Sequence, residues 1–337
     1  MSDGTGRVQQ TLDRIERRTV IRRIGAVALI AGVAVTTYFG IGYLAGSSVS
    51  QLLADLGRQM PTFIDSIRDF LQPNFVDFTV YSQENELTGL NGLFQSFAHP
   101  GTFLATAQTG SSGLLVSGAI ITVVIGFTGT VLGFPLALIF GVLGSERVTP
   151  FPFNFLFRGT MSTIRAIPAI VWVLFYIPVF GPTPLSAMFA IATDTIGNMG
   201  RLFTDELEEV EEGPIEAISS TGANRSQVIS FGMLSQVFSS FIAWALYITE
   251  INVRIAISLG VVGAGGLGQY IKGQLAQLAF SRAAAGIFMV IVIVISVELF
   301  SSRLRSRLRP EEDAGGGFFD AVKRLFDGDR WLGRSER

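Results

Sequence analysis

The apolar residues of this chain fall in blocks long enough to cross a bilayer, and that limits the fold more than any other feature of the sequence. A spanning helix needs about 20 consecutive, mostly apolar residues, and inside lipid every backbone polar group must be satisfied within the segment. Six spans are expected. They lie at 25–45, within 114–143, at 168–180 together with the residues before it, at 185–199, at 237–259 and at 283–300. The fourth carries Asp194 and Asn198 and the fifth Glu250, Asn252 and Arg254, so both are polar for their position. The fold class that follows is all-α, a polytopic membrane protein with about six transmembrane helices. Composition agrees: 15% of the 337 residues are charged, against about 25% in soluble domains, and the mean hydropathy is +0.48.

Charge placement sets an orientation. Arg7, Arg14, Arg17, Arg18, Arg22 and Arg23 precede the first span, and Arg303, Arg305, Arg307 and Arg309 follow the last. By the positive-inside rule both termini are expected in the cytoplasm of a cell-membrane protein, which requires an even number of spans. The segment 46–113 is then external, while the loop around Arg147 and Arg158 and the long loop after Arg201 are cytoplasmic. Four regions result: a cytoplasmic segment 1–23, a first helix and external amphipathic segment 24–113, a core 114–309 with a cytoplasmic loop near 204–235, and a cytoplasmic amphipathic tail 310–337. No A-x-A-like cleavage site follows the first apolar run, so that run is expected to be retained. A formal net charge of -2 gives no case for nucleic acid. With no cysteine and a single histidine, His99, no metal site, cofactor or catalytic group is expected.

Two segments have helical periodicity without spanning length. Leu52, Leu53, Leu56, Met60, Phe63, Ile64, Ile67 and Phe70 recur on one face, interrupted by Pro61, and Phe318, Val322, Leu325 and Phe326 do so in the tail. Both suit helices lying against the membrane or against other spans. Gly263, Gly265, Gly266 and Gly268 read superficially like a phosphate-binding loop, but no strand precedes them and a span does. Close helix packing or an outer hinge is the expectation there. Pro135, with Gly126 and Gly133, marks another expected bend.

The loop after the fourth span has readable local chemistry. Pro214 suits the first position of a helix, Gly222 the left-handed residue that ends one, and Asn224 followed by Gln227 a capping box that starts the next. Between Pro214 and Gly222 lies a helix of about two turns with Ile215 and Ile218 on one side. Glu216-Ala217, with Gly222 six residues after the glutamate, resembles the E-A-A…G coupling loop of binding-protein-dependent ABC importer permeases. Ile218 stands at the motif's third position, and Leu234-Ser235 where Leu-Pro often closes it. The run 250–268, which begins Glu-Ile-Asn-Val-Arg, the run 165–172, Arg-Ala-Ile-Pro-Ala-Ile-Val-Trp, and 208–224 resemble the phosphonate importer permeases, with Ala169 where that family often has an acid.

The resemblance implies the ABC importer type I permease architecture over roughly residues 50–310. It implies a transport subunit without catalytic activity, carrying phosphonate or a related phosphorus oxyanion. Implied partners are cytoplasmic ATP-binding cassette subunits docking at Glu216, Ala217 and Gly222, an extracytoplasmic substrate-binding protein, and a second permease subunit, expected as a homodimer. Arg165, Trp172, Asp194, Tyr247, Glu250, Asn252 and Arg254 are candidates for the translocation pathway. Glu250 and Arg254 are spaced as a pair on one helical face, in the favourable order, and Asn252 points elsewhere. That pair either braces a neighbouring span, with Asp194 as a candidate partner, or lends transient positive potential to an anion. A permease for another small solute such as an amino acid and an ion-coupled secondary transporter remain open alternatives. An intramembrane enzyme would need catalytic groups that one histidine and no cysteine do not supply.

Overall fold

The computed structural model describes residues 22–308 except 41, 44, 45, 47 and 48, and the expected amphipathic tail lies outside the described residues. Two compact units divide at Arg68 and Asp69. In the first, α1 (Arg22–Gly40) is a 19-residue apolar helix. Helix α2 begins there and runs Val49–Phe70 through Pro61, where an interruption was expected. Proline removes one helical N–H, and the helix around it is exposed, so the carbonyl left without a partner stays accessible.

The second unit is organised around α6 (Leu115–Gly144), a 30-residue helix that stays continuous through Pro135. Its chief neighbour is α9 (Pro184–Glu208). The approach is close because glycines line the shared face: a Cβ at Gly133 would lie 2.6 Å from the Ala192 carbonyl, and one at Gly141 2.7 Å from Phe203. Small residues drive such contacts in membranes, where burying apolar surface against lipid gains little. Gly126 similarly abuts Val253 on α12 (Ser235–Leu259). These glycines therefore mark contact points.

Among the described residues four helices are long and apolar enough to cross a membrane: α1, α6, the continuous helix Arg225–Ala264 that contains α12, and α14, whose candidate span is Phe280–Ser306. A fifth is gained if α7 (Phe153–Ala166) and α8 (Ala169–Phe180) count as one crossing, and these meet at 88°. The expected third span is therefore broken at Ile167-Pro168, since the residue before proline is driven out of the helical region. Helix α9, the expected fourth span, has 25 residues, about 37 Å of helix at 1.5 Å per residue. It lacks the apolar composition because its polar residues face protein: α6, α7, α8 and α12 all pack on it, and Asp194, Thr195 and Thr204 are buried.

Short helices α3 (Val80–Glu84), α4 (Asn91–Ala98) and α5 (Gly101–Gln108) fill the segment before α6. Thr79 and Ser82 cap α3 reciprocally, and Phe75 and Phe78 are buried against Leu115, Tyr270 and Val253. Asp77 is the polar anchor here. It accepts hydrogen bonds from Tyr270 on α13 (Gly266–Ala276) at 3.0 Å and from Gln83 at 3.3 Å, with the Arg282 guanidinium at 3.7 Å. Burial first, and the Asp77 carboxylate second, push the Tyr270 phenol up, so it stays a donor. His99 stacks on Tyr81 at 4.2 Å and bonds the Gln95 carbonyl at 2.9 Å. No group of residues able to hold a metal occurs among the described residues.

Candidate coupling and pathway sites

The loop after α9 folds into α10 (Glu212–Ser220), no residue of which is buried. It starts two residues before Pro214, the expected first position. Proline is still tolerated at the third position because the N–H groups of the first turn lack intrahelical partners in any case. Ile215 and Ile218 turn inward onto Gly232, while Glu216 and Ala217 stay exposed. Gly222 adopts φ +83 with open space around it, and its N–H bonds the Ser219 carbonyl at 3.1 Å. Asn224 and Gln227 form the expected reciprocal capping box. What they start is no separate short helix. The segment α11 (Arg225–Gln227) continues through a π-helical turn, Val228–Leu234, straight into α12.

Arginines tie this loop to the one after α6. Arg147 pairs with Glu212 at 3.0 Å, and Arg225 donates to the Val148 carbonyl at 2.8 Å. Arg158 on α7 donates to the Gly144 carbonyl at 2.7 Å and pairs with Glu208 and, at 3.7 Å, with Glu146. These partners lie 12 to 77 residues apart in the chain, so no local spacing in the sequence signals them.

The pathway candidates separate into two groups. Arg165, Asp194, Asn198, Tyr247 and Asn252 line one cavity of about 260 Å³, with aliphatic side chains between them. Asp194 is 7% exposed and accepts a 2.9 Å bond from the Asn198 amide. Asn252 is buried and donates to Thr130 at 2.8 Å and Thr195 at 2.9 Å. Trp172 is not among the lining residues; its indole N–H points to the Ile164 carbonyl at 3.4 Å, beside the α7–α8 break.

Glu250 and Arg254 form the second group, away from this cavity. They pair at 2.6 Å, as their spacing predicts, but their further partners come from α14 and not from Asp194. Arg254 also reaches Glu298 at 3.2 Å, and Arg305 reaches Glu250 at 3.5 Å. The Arg305 guanidinium also sits 5.5 Å from the centre of the Tyr247 ring. Of the glycine run, Gly263, Gly265 and Gly266 have positive φ where α12 gives way to α13. Gly268 packs so tightly that a Cβ would meet the Ile257 carbonyl at 1.9 Å.

Apolar exteriors on the long helices, with polar contacts drawn into the bundle, put the chain in the class of multi-pass membrane proteins. Residues 129–310, just over half of it, match the family described as binding-protein-dependent transport system inner membrane component, and the chain belongs to that family. It is 32% identical over 177 residues to a Stutzerimonas stutzeri protein named for a phosphite transport system, covering 52% of this chain and 61% of that one. A permease of Escherichia coli K12 named for a cryptic phosphonate transport system is 37% identical over 118 residues, covering 35% of this chain and 97% of the relative. The fold matches an inward-facing structure of the methionine ABC transporter MetNI with a TM-score of 0.51 at 22% identity, over 58% of this chain and 95% of that one. The ABC importer permease fold expected from the sequence is thus the one observed.

Proposed function

We propose that the chain is the membrane subunit of an ATP-driven importer for a phosphorus oxyanion such as phosphonate or phosphite. The observation that carries this reading is α10: a short helix with no buried residue, hung between α9 and the helix leading into α12, and closed by a glycine in the left-handed region. A purely structural connection would have no reason to present Glu216 and Ala217 outward while fixing the turn behind them. Here the exposed face docks on a cytoplasmic ATP-binding cassette subunit, and the arginine ties to α6 and α7 carry its displacement into the bundle. An external binding protein delivers the substrate, and a second permease copy completes the pathway. The cavity residues Arg165, Asp194, Tyr247 and Asn252 belong to the route, with Trp172 beside it, and Glu250 and Arg254 brace α12 against α14. Both termini are cytoplasmic.

Gly222→Val tests the docking role. A β-branched residue is disfavoured at φ +83, by about 1–2 kcal/mol, and nothing crowds the site otherwise. Co-purification with the ATPase subunit and substrate-stimulated ATP hydrolysis should both drop, while membrane insertion is unchanged. Normal assembly and turnover in this variant would remove α10 from the docking role.

A further inference from the structure

The polar groups of the cavity do not form a general anion site. Arg165 is exposed at its edge and makes no ion pair among the described residues, so it supplies positive charge. Two other groups of the lining accept. Asp194 offers a carboxylate whose one described partner is an amide of its own helix. Asn252 offers an oxygen, and its orientation is fixed by a neighbour. Thr130 spends its hydroxyl hydrogen on the Gly126 carbonyl at 2.8 Å and can only accept from Asn252, so the Asn252 nitrogen faces Thr130 and Thr195. With both amide hydrogens committed, the carbonyl oxygen is what Asn252 has left.

A fully deprotonated oxyanion would meet Arg165 favourably and be repelled by Asp194 and Asn252. An ionisable group at such a position in a membrane helix is expensive and marks a functional site. A buried acceptor without a donor loses most of a hydrogen bond's free energy. What fits is a small solute that carries both negative oxygens and a donor. At about 260 Å³ the cavity is below the usual size for drug-like ligands.

We infer that Asp194 makes the cavity selective for the protonated form of a phosphorus oxyanion, accepting a hydrogen bond from its P–OH while Arg165 holds the charged oxygens. The inference rests on the importer reading and deepens it. Phosphorus monoanions keep a P–OH that is lost with a second pKa near 6 in phosphate monoesters, so the selected species thins out as pH rises. Asp194→Asn replaces the acceptor with a group that can also donate, at nearly the same volume, and the dianion is then tolerated.

The test uses the full complex of permease, ATPase and binding protein in proteoliposomes, with phosphite as the probe. Uptake at saturating binding protein is measured from pH 6 to pH 8.5 for wild type and Asp194→Asn, so that effects of pH on the binding protein divide out in the ratio. The wild-type-to-variant ratio should fall about ten-fold or more across this range as the P–OH form is depleted. A constant ratio, with both proteins active, overturns the inference and leaves the importer reading intact. Should the variant be inactive at every pH, Asp194→Glu decides. It restores uptake with the wild-type pH slope if the carboxylate receives the P–OH, and uptake that stays lost overturns the role. An aminoalkylphosphonate whose uptake alone depends on Asp194 would make an ammonium the true partner, which also refutes it. Wild-type uptake of none of phosphite, phosphate and methylphosphonate would end the importer reading itself, and this inference with it.

Discussion

The ion-pair network between α12 and α14 makes a quantitative prediction about which arginine Glu250 depends on. Its side chain is 8% exposed, so stripping it of every cation would strand a buried carboxylate, at about 3–5 kcal/mol. Arg254→Met alone does not do this. It removes the 2.6 Å pair but leaves Arg305 at 3.5 Å, and the lost guanidinium is itself 46% exposed and partly screened. The expected loss is that of one hydrogen bond to a charged group at the lower end of its range, about 1.5 kcal/mol. That is roughly ten-fold in the folded ratio, or about 3–6 °C in melting temperature by the scaling of globular proteins. Arg254→Met combined with Arg305→Met should cost at least twice as much. Glu250→Gln with Arg254→Met should come close to wild type, because no buried charge then remains without a partner. Thermal unfolding in detergent, followed by fluorescence-detected size exclusion, measures all three. If Arg254→Met alone were as damaging as the double arginine variant, Arg305 would not share the carboxylate. Uptake by the Glu250→Gln/Arg254→Met protein then separates the roles: bracing predicts full transport, and a place in the pathway predicts a well-folded protein that transports poorly.

Two glycines of α13 should respond oppositely to the same change. Gly268→Ala drives a Cβ to 1.9 Å from the Ile257 backbone oxygen and should sharply reduce folded yield, whereas Gly273→Ala meets nothing within 4 Å and should gain about 0.5–1 kcal/mol of stability in thermal melts. A reporter fused after residue 310 should be cytoplasmic and one inserted near Asn91 external; the same compartment for both would refute the six-crossing topology.

What the sequence revealed was local. The pairing of Glu250 with Arg254, the capping box at Asn224 and Gln227 and the left-handed turn at Gly222 all lie within a few residues, where helix geometry alone decides what meets. Glu298 and Arg305 complete the network from another helix, 44 and 55 positions along from Arg254 and Glu250 respectively, and no periodicity points to them. The same limit explains why the arginine ties of α10 were missed. Hydropathy alone is a weak guide to α9 for a different reason. Hydropathy measures fitness for lipid, but α9 meets protein on most sides, so its composition reports its neighbours and not its depth. The third span was read as one crossing because apolar residues lie on both sides of Pro168, and that masked the right-angle turn between α7 and α8.

The π-helical turn at Val228–Leu234 has a consequence for how the two ends of the long helix relate. A π-turn amounts to one residue inserted into an α-helix, and one residue is about 100° of rotation. The side chains of Arg225–Gln227 are therefore out of phase with those of α12, and no single helical wheel describes the two segments. Deleting one residue within the turn would let it relax to α-helical pitch and bring both ends into one phase. Whatever faces the loop after α6 would then swing about a quarter turn away from it, with neither segment unfolding. The helix thus carries a fixed angular offset, one residue in size, between the part that meets the loop after α6 and the part that lines the cavity.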